Sequence, residues 1–421
     1  MNKSGDVVNK LFFGIVFFSI NFLYAQSIPD WENPDINGIN KEKPHAYSFL
    51  FEQKASNPTV QSLNGIWKFK WSSDPQSRPL NFYTENYSTE NWDNILLPGN
   101  WELQGSGTPI YTNFTYPFKR DPPKVTSEPE KQFTSFLQRN PVGSYCTTFT
   151  IPESWNNKQV FINFGGVLSA MYIWINGQKV GYSENSMSPA EFDITKYIRK
   201  GENKLAVEVY KWCDGSYLED QDMWRLSGIF RDVDLIARPK TFISDFFVNA
   251  VPGNAFTNAN ISVNLNIDNR SAQNVSGLYA EAEVAGFTAQ GDRVNFSFAG
   301  KVPVAQKLKQ VSLNLKSLMK KPRLWSAETP DLYHLILKLK NNKNEIVDIA
   351  ECYFGVRKIE VRGDVFYING KAVKLKGVNR HEQHPRTGKH INRNTMIRDI
   401  ELMKQANINM IRTCHYPDDP L

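Results

Sequence analysis

The sequence predicts a multidomain, mainly β protein: a jelly-roll domain, an immunoglobulin-like β-sandwich and the first βαβ segment of a (β/α)8 TIM barrel. Three observations lead to this prediction. Short alternating strands between turn residues occupy residues 26–238, and a second series of strands occupies residues 239–355. Residues 356–421 contain a strand, a helix and a strand in succession. Since a barrel needs about 250 residues, we expect the barrel to be incomplete within this chain.

Residues 1–25 have the pattern of a secretory signal peptide. Lys3 and Lys10 precede an apolar run at residues 11–20, and the small residue Ala25 ends the segment. The run is shorter than the ~20 apolar residues that a membrane helix requires. We expect cleavage after Ala25, export to a periplasm and no membrane span in the mature chain. A retained signal anchor is the alternative.

The charge distribution argues against nucleic-acid binding. The chain has 49 basic and 43 acidic residues, a formal charge of +6, and the basic residues are spread along it. A surface that follows phosphates needs clustered basic side chains, so we expect no nucleic-acid partner. The four cysteines form no Cys-x-x-Cys pair, and buried free thiols are the default expectation.

The jelly-roll prediction for residues 26–238 depends on short runs that suit half-buried strands. The predicted strands include residues 66–71, 160–164, 171–175 and 204–209. Asn176-Gly177 follows one of them and is a strong signal for a tight hairpin. Many short strands without a helical stripe favour a jelly-roll sandwich.

Three polar patches in this domain suggest more than packing. Residues 30–34 (DWENP) offer hard oxygen ligands at a spacing that suits Mg²⁺, although an ordinary acidic turn has the same pattern. Residues 109–118 (PIYTNFTYPF) place hydrogen-bonding side chains between prolines, as a sugar site or an edge loop would. Residues 214–232 mix acids, arginines and aromatics without periodicity, so we expect a long structured loop whose charges are paired or bind a ligand.

Residues 239–355 alternate again, for example at residues 261–267, and contain no helical pattern. This favours an immunoglobulin-like sandwich. His334 lies in one of the strands, and we expect it to be packed or hydrogen-bonded.

Four of the six histidines lie in residues 373–421. We predict a strand at residues 373–378, a helix at residues 395–406 and a second strand at residues 408–412. Asn394 is the expected N-cap of the helix, and Asn407 is its expected left-handed stop. A histidine cluster follows each strand, and a (β/α)8 barrel carries its active site at the carboxyl ends of its strands.

Two other interpretations of these clusters fail on local geometry. His381, Glu382 and His384 have the spacing His-Glu-x-His, whereas a zinc-binding helix needs His-Glu-x-x-His. Cys414 could suggest a thiol nucleophile beside His415. Because adjacent residues on an extended strand point to opposite faces, we discount that cysteine.

Six motifs lie in the first and third predicted domains. They are residues 63–69 (LNGIWKF), 173–177 (IWING), 214–232 (DGSYLEDQDMWRLSGIFRD), 377–385 (GVNRHEQHP), 402–405 (LMKQ) and 415–417 (HYP). Together they resemble glycoside hydrolase family 2, and most closely its long bacterial β-galactosidases. The resemblance makes the first domain a sugar-binding domain and the chain an N-terminal portion that stops early in the catalytic barrel.

The resemblance implies a retaining β-galactosidase, which hydrolyses terminal non-reducing β-D-galactose residues of β-galactosides with two glutamates. Both glutamates are expected beyond Leu421, so Glu382 is not expected to be catalytic and the chain alone is expected to be inactive. His381 and His415 match residues that stabilise the transition state. The full-length enzyme is expected to be a homo-oligomer.

The resemblance also implies ligands for particular side chains. Asn113 matches a substrate contact, and Asp222 matches a residue that accepts a hydrogen bond from the galactose 6-hydroxyl and helps to hold Na⁺. The implied ligands of a structural Mg²⁺ are Asp30, Asn33, the carbonyl of Ile36, Glu184 and Asp214. Glu184 departs from the amide expected at its position.

Two alternatives stay open at this point. One is a carbohydrate-binding protein without catalytic turnover. The other is a different specificity within the family, such as β-glucuronidase or β-mannosidase, against which the loop containing Asp222 and the motif at residues 111–117 argue.

Overall fold

The computed structural model describes residues 28–128, 131 and 137–421, so the predicted signal peptide at residues 1–25 lies outside the described residues. The strands of the first domain are β1 (Gly38–Ile39), β2 (Val60–Ser62), β3 (Gly65–Ser72), β4 (Asp93–Leu97), β5 (Ile110–Thr112), β6 (Val142–Thr150), β7 (Gln159–Phe164), β8 (Val167–Leu168), β9 (Ala170–Ile175), β10 (Gln178–Ser183), β11 (Ala190–Asp193), β12 (Glu202–Tyr210), β13 (Met223–Arg225), β14 (Gly228–Ile229) and β15 (Val233–Arg238). Short 3-10 helices occur at Asp30–Glu32, Phe51–Ser56, Trp101–Gln104, Glu153–Trp155 and Asp214–Tyr217.

Two antiparallel sheets form the body of this domain. One sheet has the strand order β1-β10-β9-β12-β6-β3-β4, and the other has the order β11-β7-β15-β2. Their inward side chains, including Phe69, Tyr145, Ile173 and Leu235, form one buried core. This is the predicted jelly-roll sandwich, because alternating side chains leave one face of each sheet apolar.

The local predictions for these strands are confirmed to within two residues at each end. The hairpin at Asn176-Gly177 joins β9 to β10, with φ values of 49° and 80°. Both values are in the left-handed region that a two-residue hairpin loop requires, which explains the Asn-Gly sequence.

The second domain is the predicted immunoglobulin-like sandwich. Its strands are β16 (Thr241–Pro252), β17 (Asn258–Asn269), β18 (Tyr279–Phe287), β19 (Arg293–Lys301), β20 (Lys309–Lys320), β21 (Tyr333–Lys340) and β22 (Ile346–Phe354). The sheets have the orders β16-β17-β20 and β19-β18-β21-β22. His334 on β21 is hydrogen-bonded as expected, with Nε2 2.9 Å from Glu351 Oε2.

Residues 42–48, which lie between β1 and β2 in the chain, contact both sandwiches. His45 Nε2 lies 3.1 Å from Glu191 Oε1 on β11, and the amide of Ala46 donates a hydrogen bond of 2.9 Å to Asp245 on β16. Arg270 follows β17 and lies 2.7 Å from Glu42 Oε2. The segment therefore makes polar contacts with both domains.

The third segment begins with a three-stranded sheet of β23 (Ile359–Arg362), β24 (Val365–Ile368) and β25 (Lys371–Ala372). The strands β26 (Gly377–Arg380) and β27 (Met410–Thr413) then pair in parallel, and α1 (Arg393–Gln405) connects them. This strand–helix–strand unit is the predicted opening of a (β/α)8 barrel.

Two local predictions in this unit were wrong, namely the start of the first strand and the N-cap of the helix. The first strand starts at Gly377 rather than at residue 373, because the side chain of Asn409 bonds to the Lys374 carbonyl and the Lys376 amide at 3.1 and 2.8 Å. The second strand, predicted at residues 408–412, spans Met410–Thr413 and is confirmed to within two residues at each end.

The helix also starts earlier than predicted. Its N-cap is Asn392, whose Oδ1 accepts a hydrogen bond of 2.9 Å from the Thr395 amide, whereas Asn394 lies within the first turn. Asn407 has a φ of 58°, which confirms the left-handed stop.

A buried ion pair joins the first domain to the barrel segment. Arg231 lies between β14 and β15, and its Nη2 is 2.9 Å from Glu382 Oε2, with both side chains 4% exposed. The same guanidinium donates to the carbonyls of Pro417 and Met187 at 2.8 and 2.9 Å. Arg231 therefore binds both loops that follow the barrel strands, and we call this arrangement the Arg231 clamp.

All four cysteines are free thiols, as expected, and only Cys352 is not fully buried. Within the described residues, none of the helices is long and apolar enough to cross a membrane.

Replacing Arg231 with methionine should lower the free energy of opening of residues 377–421 by about 3–5 kcal/mol, because the buried Glu382 carboxylate loses its 2.9 Å partner and keeps only the longer 3.6 Å contact with Arg380. Hydrogen exchange of the amides in β26 and β27 measures this. Arg398→Met is the matched control, since its 3.4 Å contact with Glu401 is exposed and should contribute less than about 1 kcal/mol. Equal effects of the two substitutions would contradict the clamp.

The pair between His45 and Glu191 predicts a pH-dependent stability. Burial lowers the pKa of His45, but the hydrogen bond and charge of Glu191 outweigh it and raise that pKa from 6.5 to about 8. A raised folded-state pKa stabilises the fold below pH 6.5, and this contribution disappears as the pH rises through about 8. His45→Gln should therefore lower the free energy of unfolding by about 2 kcal/mol near pH 6 and by much less near pH 9. Thermal midpoints across this range test it, and a pH-independent difference would refute it.

Candidate functional site

The candidate site lies where β26 and β27 end and the two histidine-containing loops meet. The strand register pairs Arg380 with Thr413, so His381 and Cys414 follow at the same level of the sheet. The rings of His381 and His415 have centroids 5.7 Å apart and are nearly perpendicular, at 88°. The structure therefore brings together the two histidines that the sequence predicted.

Tyr416 connects these two loops. Its hydroxyl accepts a hydrogen bond of 3.0 Å from the Glu382 amide and lies 3.5 Å from His381 Nδ1. Its buried ring packs with Met187 and Met223 of the first domain. Tyr416 thus fixes the histidine loops against the jelly roll.

A two-stranded ribbon of β5 and β13 brings first-domain side chains to the site. Its register pairs Tyr111 with Trp224, and the Tyr111 hydroxyl donates a hydrogen bond to Asp222. Gln221 accepts a hydrogen bond from the amide of His415 and donates one to its carbonyl, both at 3.2 Å. The sequence motif at residues 109–118 indicated this region, but Tyr111 itself was not predicted as a site residue.

Residues 214–232 contain the short strands β13 and β14, which differs from the predicted loop because their backbones pair with β5 and β8. Arg225 donates a hydrogen bond of 2.9 Å to Thr112 Oγ1 and forms an ion pair with Asp220. Lys211 and Glu102 form a further buried pair at 2.6 Å. Several charges in and around this region are therefore paired within the fold. Asp222, directly before β13, stays exposed.

The electrostatics of the site favour a neutral His381. Burial lowers the pKa of His381, the charges of Lys389 and His415 lower it further, and Asp222 opposes them. A neutral imidazole can donate one hydrogen bond and accept another, which suits contacts with sugar hydroxyls. The hydrogen bond to Asp222 raises the pKa of Tyr111, so that hydroxyl remains a donor.

Lys389 is a site residue that the sequence did not reveal. Its side chain is buried behind Tyr416, with Nζ 3.5 Å from the Tyr416 hydroxyl and 3.2 Å from Met223 Sδ. Burial, with the charge of Arg225, lowers the pKa of Lys389 to about 8. It borders a cavity of about 190 Å³ that also reaches Trp224 and His415. A lone lysine in a loop carries no sequence signal for such a position.

Asn113 is exposed and lies one residue beyond β5, on the ribbon that also carries Tyr111. Its predicted role as a substrate contact stays a prediction. The same holds for the sodium ion predicted at Asp222.

The predicted magnesium ligands are only partly assembled. Glu184 and Asp214 have carboxylate oxygens within 4.8 Å of each other and of Cys213 Sγ. Burial, with the adjacent Asp214, raises the pKa of Glu184 to about 8. Asp214 Oδ2 is buried without a hydrogen-bond partner among the described residues. Two close carboxylates with an unsatisfied oxygen fit a hard cation.

The other predicted ligands make different contacts. Asp30 accepts a hydrogen bond of 2.8 Å from the Tyr172 hydroxyl and lies 3.6 Å from Lys179 Nζ. Asn33 Oδ1 accepts from the Asp35 amide at 3.3 Å, and the amide of Ile36 donates to the Asn33 carbonyl at 2.9 Å. Their membership of a magnesium site stays a prediction.

Comparison with known proteins identifies the three domains. Residues 60–239 match the model of the glycosyl hydrolases family 2 sugar binding domain. Residues 241–357 match the glycosyl hydrolases family 2 model, and residues 359–421 match the model of the family 2 TIM barrel domain.

Individual relatives agree with these matches. A beta-galactosidase of Priestia megaterium is 42% identical over 405 residues, which cover 94% of this chain and 38% of the relative. This chain thus spans less than two fifths of that protein's length. A beta-glucuronidase of Bacteroides uniformis has the same fold, with a TM-score of 0.70 and 24% identity over 86% of this chain and 40% of its own. A beta-glycosidase of Bacteroides vulgatus has a TM-score of 0.65 and 25% identity over 86% and 42%. The chain therefore belongs to glycosyl hydrolases family 2.

Proposed function

We propose that this chain is part of a retaining β-galactosidase, which hydrolyses terminal non-reducing β-D-galactose residues. The observation that carries the proposal is the arrangement of Asp222, held by Tyr111, beside the paired imidazoles of His381 and His415. The 42% identity to a beta-galactosidase supports it. In this arrangement the first domain and the barrel each supply part of one sugar site.

The chemistry needs two carboxyl groups on either side of the glycosidic bond. Glu382 follows the first barrel strand but is 3% exposed and bonded to Arg231. Asp418 pairs with Arg380 at 2.9 Å. These two acids are held by arginines, and the resemblance to family 2 implies that the acid/base and nucleophilic glutamates lie beyond Leu421.

The residues present would bind and stabilise rather than transfer protons. His381 and His415 can donate hydrogen bonds to sugar hydroxyls, and such bonds strengthen as the oxocarbenium-like transition state forms. The Asp222 carboxylate would accept a hydrogen bond from the galactose 6-hydroxyl, while Tyr111 fixes its orientation. The site therefore recognises the substrate through three polar contacts.

The carboxylate of Asp222 also argues against a uronic acid as substrate. A glucuronide carries a carboxylate in place of the 6-hydroxyl, and like charges in one site repel each other. The beta-glucuronidase structures resemble this chain in fold only. We therefore favour the galactoside over the glucuronide.

The proposal includes two cations, export and assembly. Mg²⁺ would be held by Glu184 and Asp214, whose close carboxylates it would neutralise. Na⁺ would lie beside Asp222. The leader at residues 1–25 supports export to a periplasm, and we propose a homo-oligomer for the full enzyme.

Asp222→Asn should reduce kcat/KM for 4-nitrophenyl β-D-galactoside by roughly 10–100-fold in an enzyme with a complete barrel, because a charged hydrogen bond contributes about 1.5–3 kcal/mol. The 6-deoxy substrate 4-nitrophenyl β-D-fucoside lacks the bonded hydroxyl, so its kcat/KM should change much less. Asp364→Asn, an exposed acid between β23 and β24, is the matched control. Equal losses on both substrates would remove Asp222 from 6-hydroxyl recognition, and a preference for the glucuronide would overturn the proposed specificity.

The purified chain of residues 26–421 should release no nitrophenol from the galactoside above the buffer rate, because Glu382 and Asp418, the carboxylates that follow the barrel strands, are paired with arginines and are not free for catalysis. Continuous absorbance measurements on folded protein test this. Turnover that copurifies with the chain and disappears in Glu382→Gln would show that the catalytic residues have been placed wrongly.

A further inference from the structure

Three potential metal ligands meet at the ends of the two barrel strands. The ligand atoms of His381, Cys414 and His415 all lie within 4.8 Å of one another. The parallel register places His381 beside Cys414, because His381 follows Arg380 and Cys414 follows the paired Thr413. The amide of Cys414 also donates a hydrogen bond of 3.0 Å to the Arg380 carbonyl, which holds the two loops together at this point.

This arrangement corrects the reason for discounting Cys414. The thiol and the neighbouring imidazole were expected on opposite faces, as along a regular strand. β27 ends at Thr413, however, so Cys414 and His415 lie beyond the regular strand. Gln221 bonds to both the amide and the carbonyl of His415, and these bonds hold that residue beside the thiol.

The exposure of the three side chains suits a site that opens to solvent. Cys414 is 1% exposed and forms the floor, His381 is half-buried, and His415 is exposed at the rim. A thiolate with two imidazoles is a ligand set for soft or borderline metals, whereas Mg²⁺ and Na⁺ prefer oxygen. Three protein ligands and one open position are also the composition of open zinc sites.

We propose that His381, Cys414 and His415 form a binding site for a thiophilic divalent cation such as Zn²⁺. Each imidazole donates a nitrogen lone pair, and the Cys414 thiol loses its proton to solvent as the sulfur–metal bond forms. No electron transfer is involved. The ligand set differs from the His-Glu-x-His pattern in the sequence, because two of its members come from the other loop.

Occupation of this site would inhibit sugar binding. The cation would take up both imidazoles that would otherwise contact sugar hydroxyls, so it should compete with the galactoside. This consequence depends on the proposed function, whereas metal binding itself does not.

Titration of chelator-treated residues 26–421 with Cd²⁺ tests the binding step without any turnover. We expect a sulfur-to-cadmium charge-transfer band that saturates at one equivalent per chain. Cys414→Ser should abolish the band. His415→Asn, at an exposed position, should weaken binding by more than roughly 100-fold, because even outer-shell partners of metal sites contribute 10–100-fold. Circular dichroism confirms that each variant is folded.

The control for location is Cys213→Ser, because Cys213 lies with Glu184 and Asp214 in the other metal-capable cluster. That variant should keep the band. A band that is absent from the unsubstituted chain, or that persists in Cys414→Ser, would overturn the site.

Inhibition is then measured on an enzyme with a complete barrel. For each variant, the galactosidase rate with Zn²⁺ is divided by the rate without Zn²⁺. The ratio should fall for the unsubstituted enzyme and stay near one for Cys414→Ser. Cadmium binding by the chain without zinc inhibition of the enzyme would refute the inhibitory role alone.

Discussion

The buried pair of Arg231 and Glu382 is the constraint on which the candidate site depends. Each charge is only 4% exposed, and a buried charge is costly unless it is paired and hydrogen-bonded. Arg231 belongs to the jelly roll, whereas Glu382 and the Pro417 carbonyl belong to the two barrel loops. Arg231 also donates to Met187 within its own domain, and Glu382 also lies 3.6 Å from Arg380 within the barrel segment. The shorter 2.9 Å pair forms only when the first domain lies against the strand ends, so docking completes the contacts of both charges.

This docking also determines which side chains stay exposed at the candidate site. Docking pairs Glu382 with Arg231. Tyr416 and Gln221 hold the two histidines between the domains. Asp222 then remains as the exposed carboxylate beside them. In the function that we propose, this site binds sugar hydroxyls, and bond cleavage needs other carboxyl groups.

The two metal-capable clusters of the described residues have different chemistry. Glu184 and Asp214 offer carboxylate oxygens within the first domain, whereas the cluster at the barrel strand ends combines two imidazoles with a thiol. Hard cations prefer the former and thiophilic cations the latter. The structural cation and the inhibitory cation that we propose would therefore not compete for the same ligands.

Sequence patterns predicted those features that depend on nearby residues. The alternating strands and the hairpin at Asn176-Gly177 are confirmed because their side chains and dihedral angles are dictated locally. The prediction at residues 373–378 failed because the side chain of Asn409, more than thirty residues away, forms hydrogen bonds with backbone groups of that segment. The prediction at Asn394 failed because Asn392 caps the helix instead. Long-range pairing likewise brought Tyr111 to the site through β13. The histidines could be found because they cluster in sequence, whereas their partners come from distant segments that only the folded register brings together.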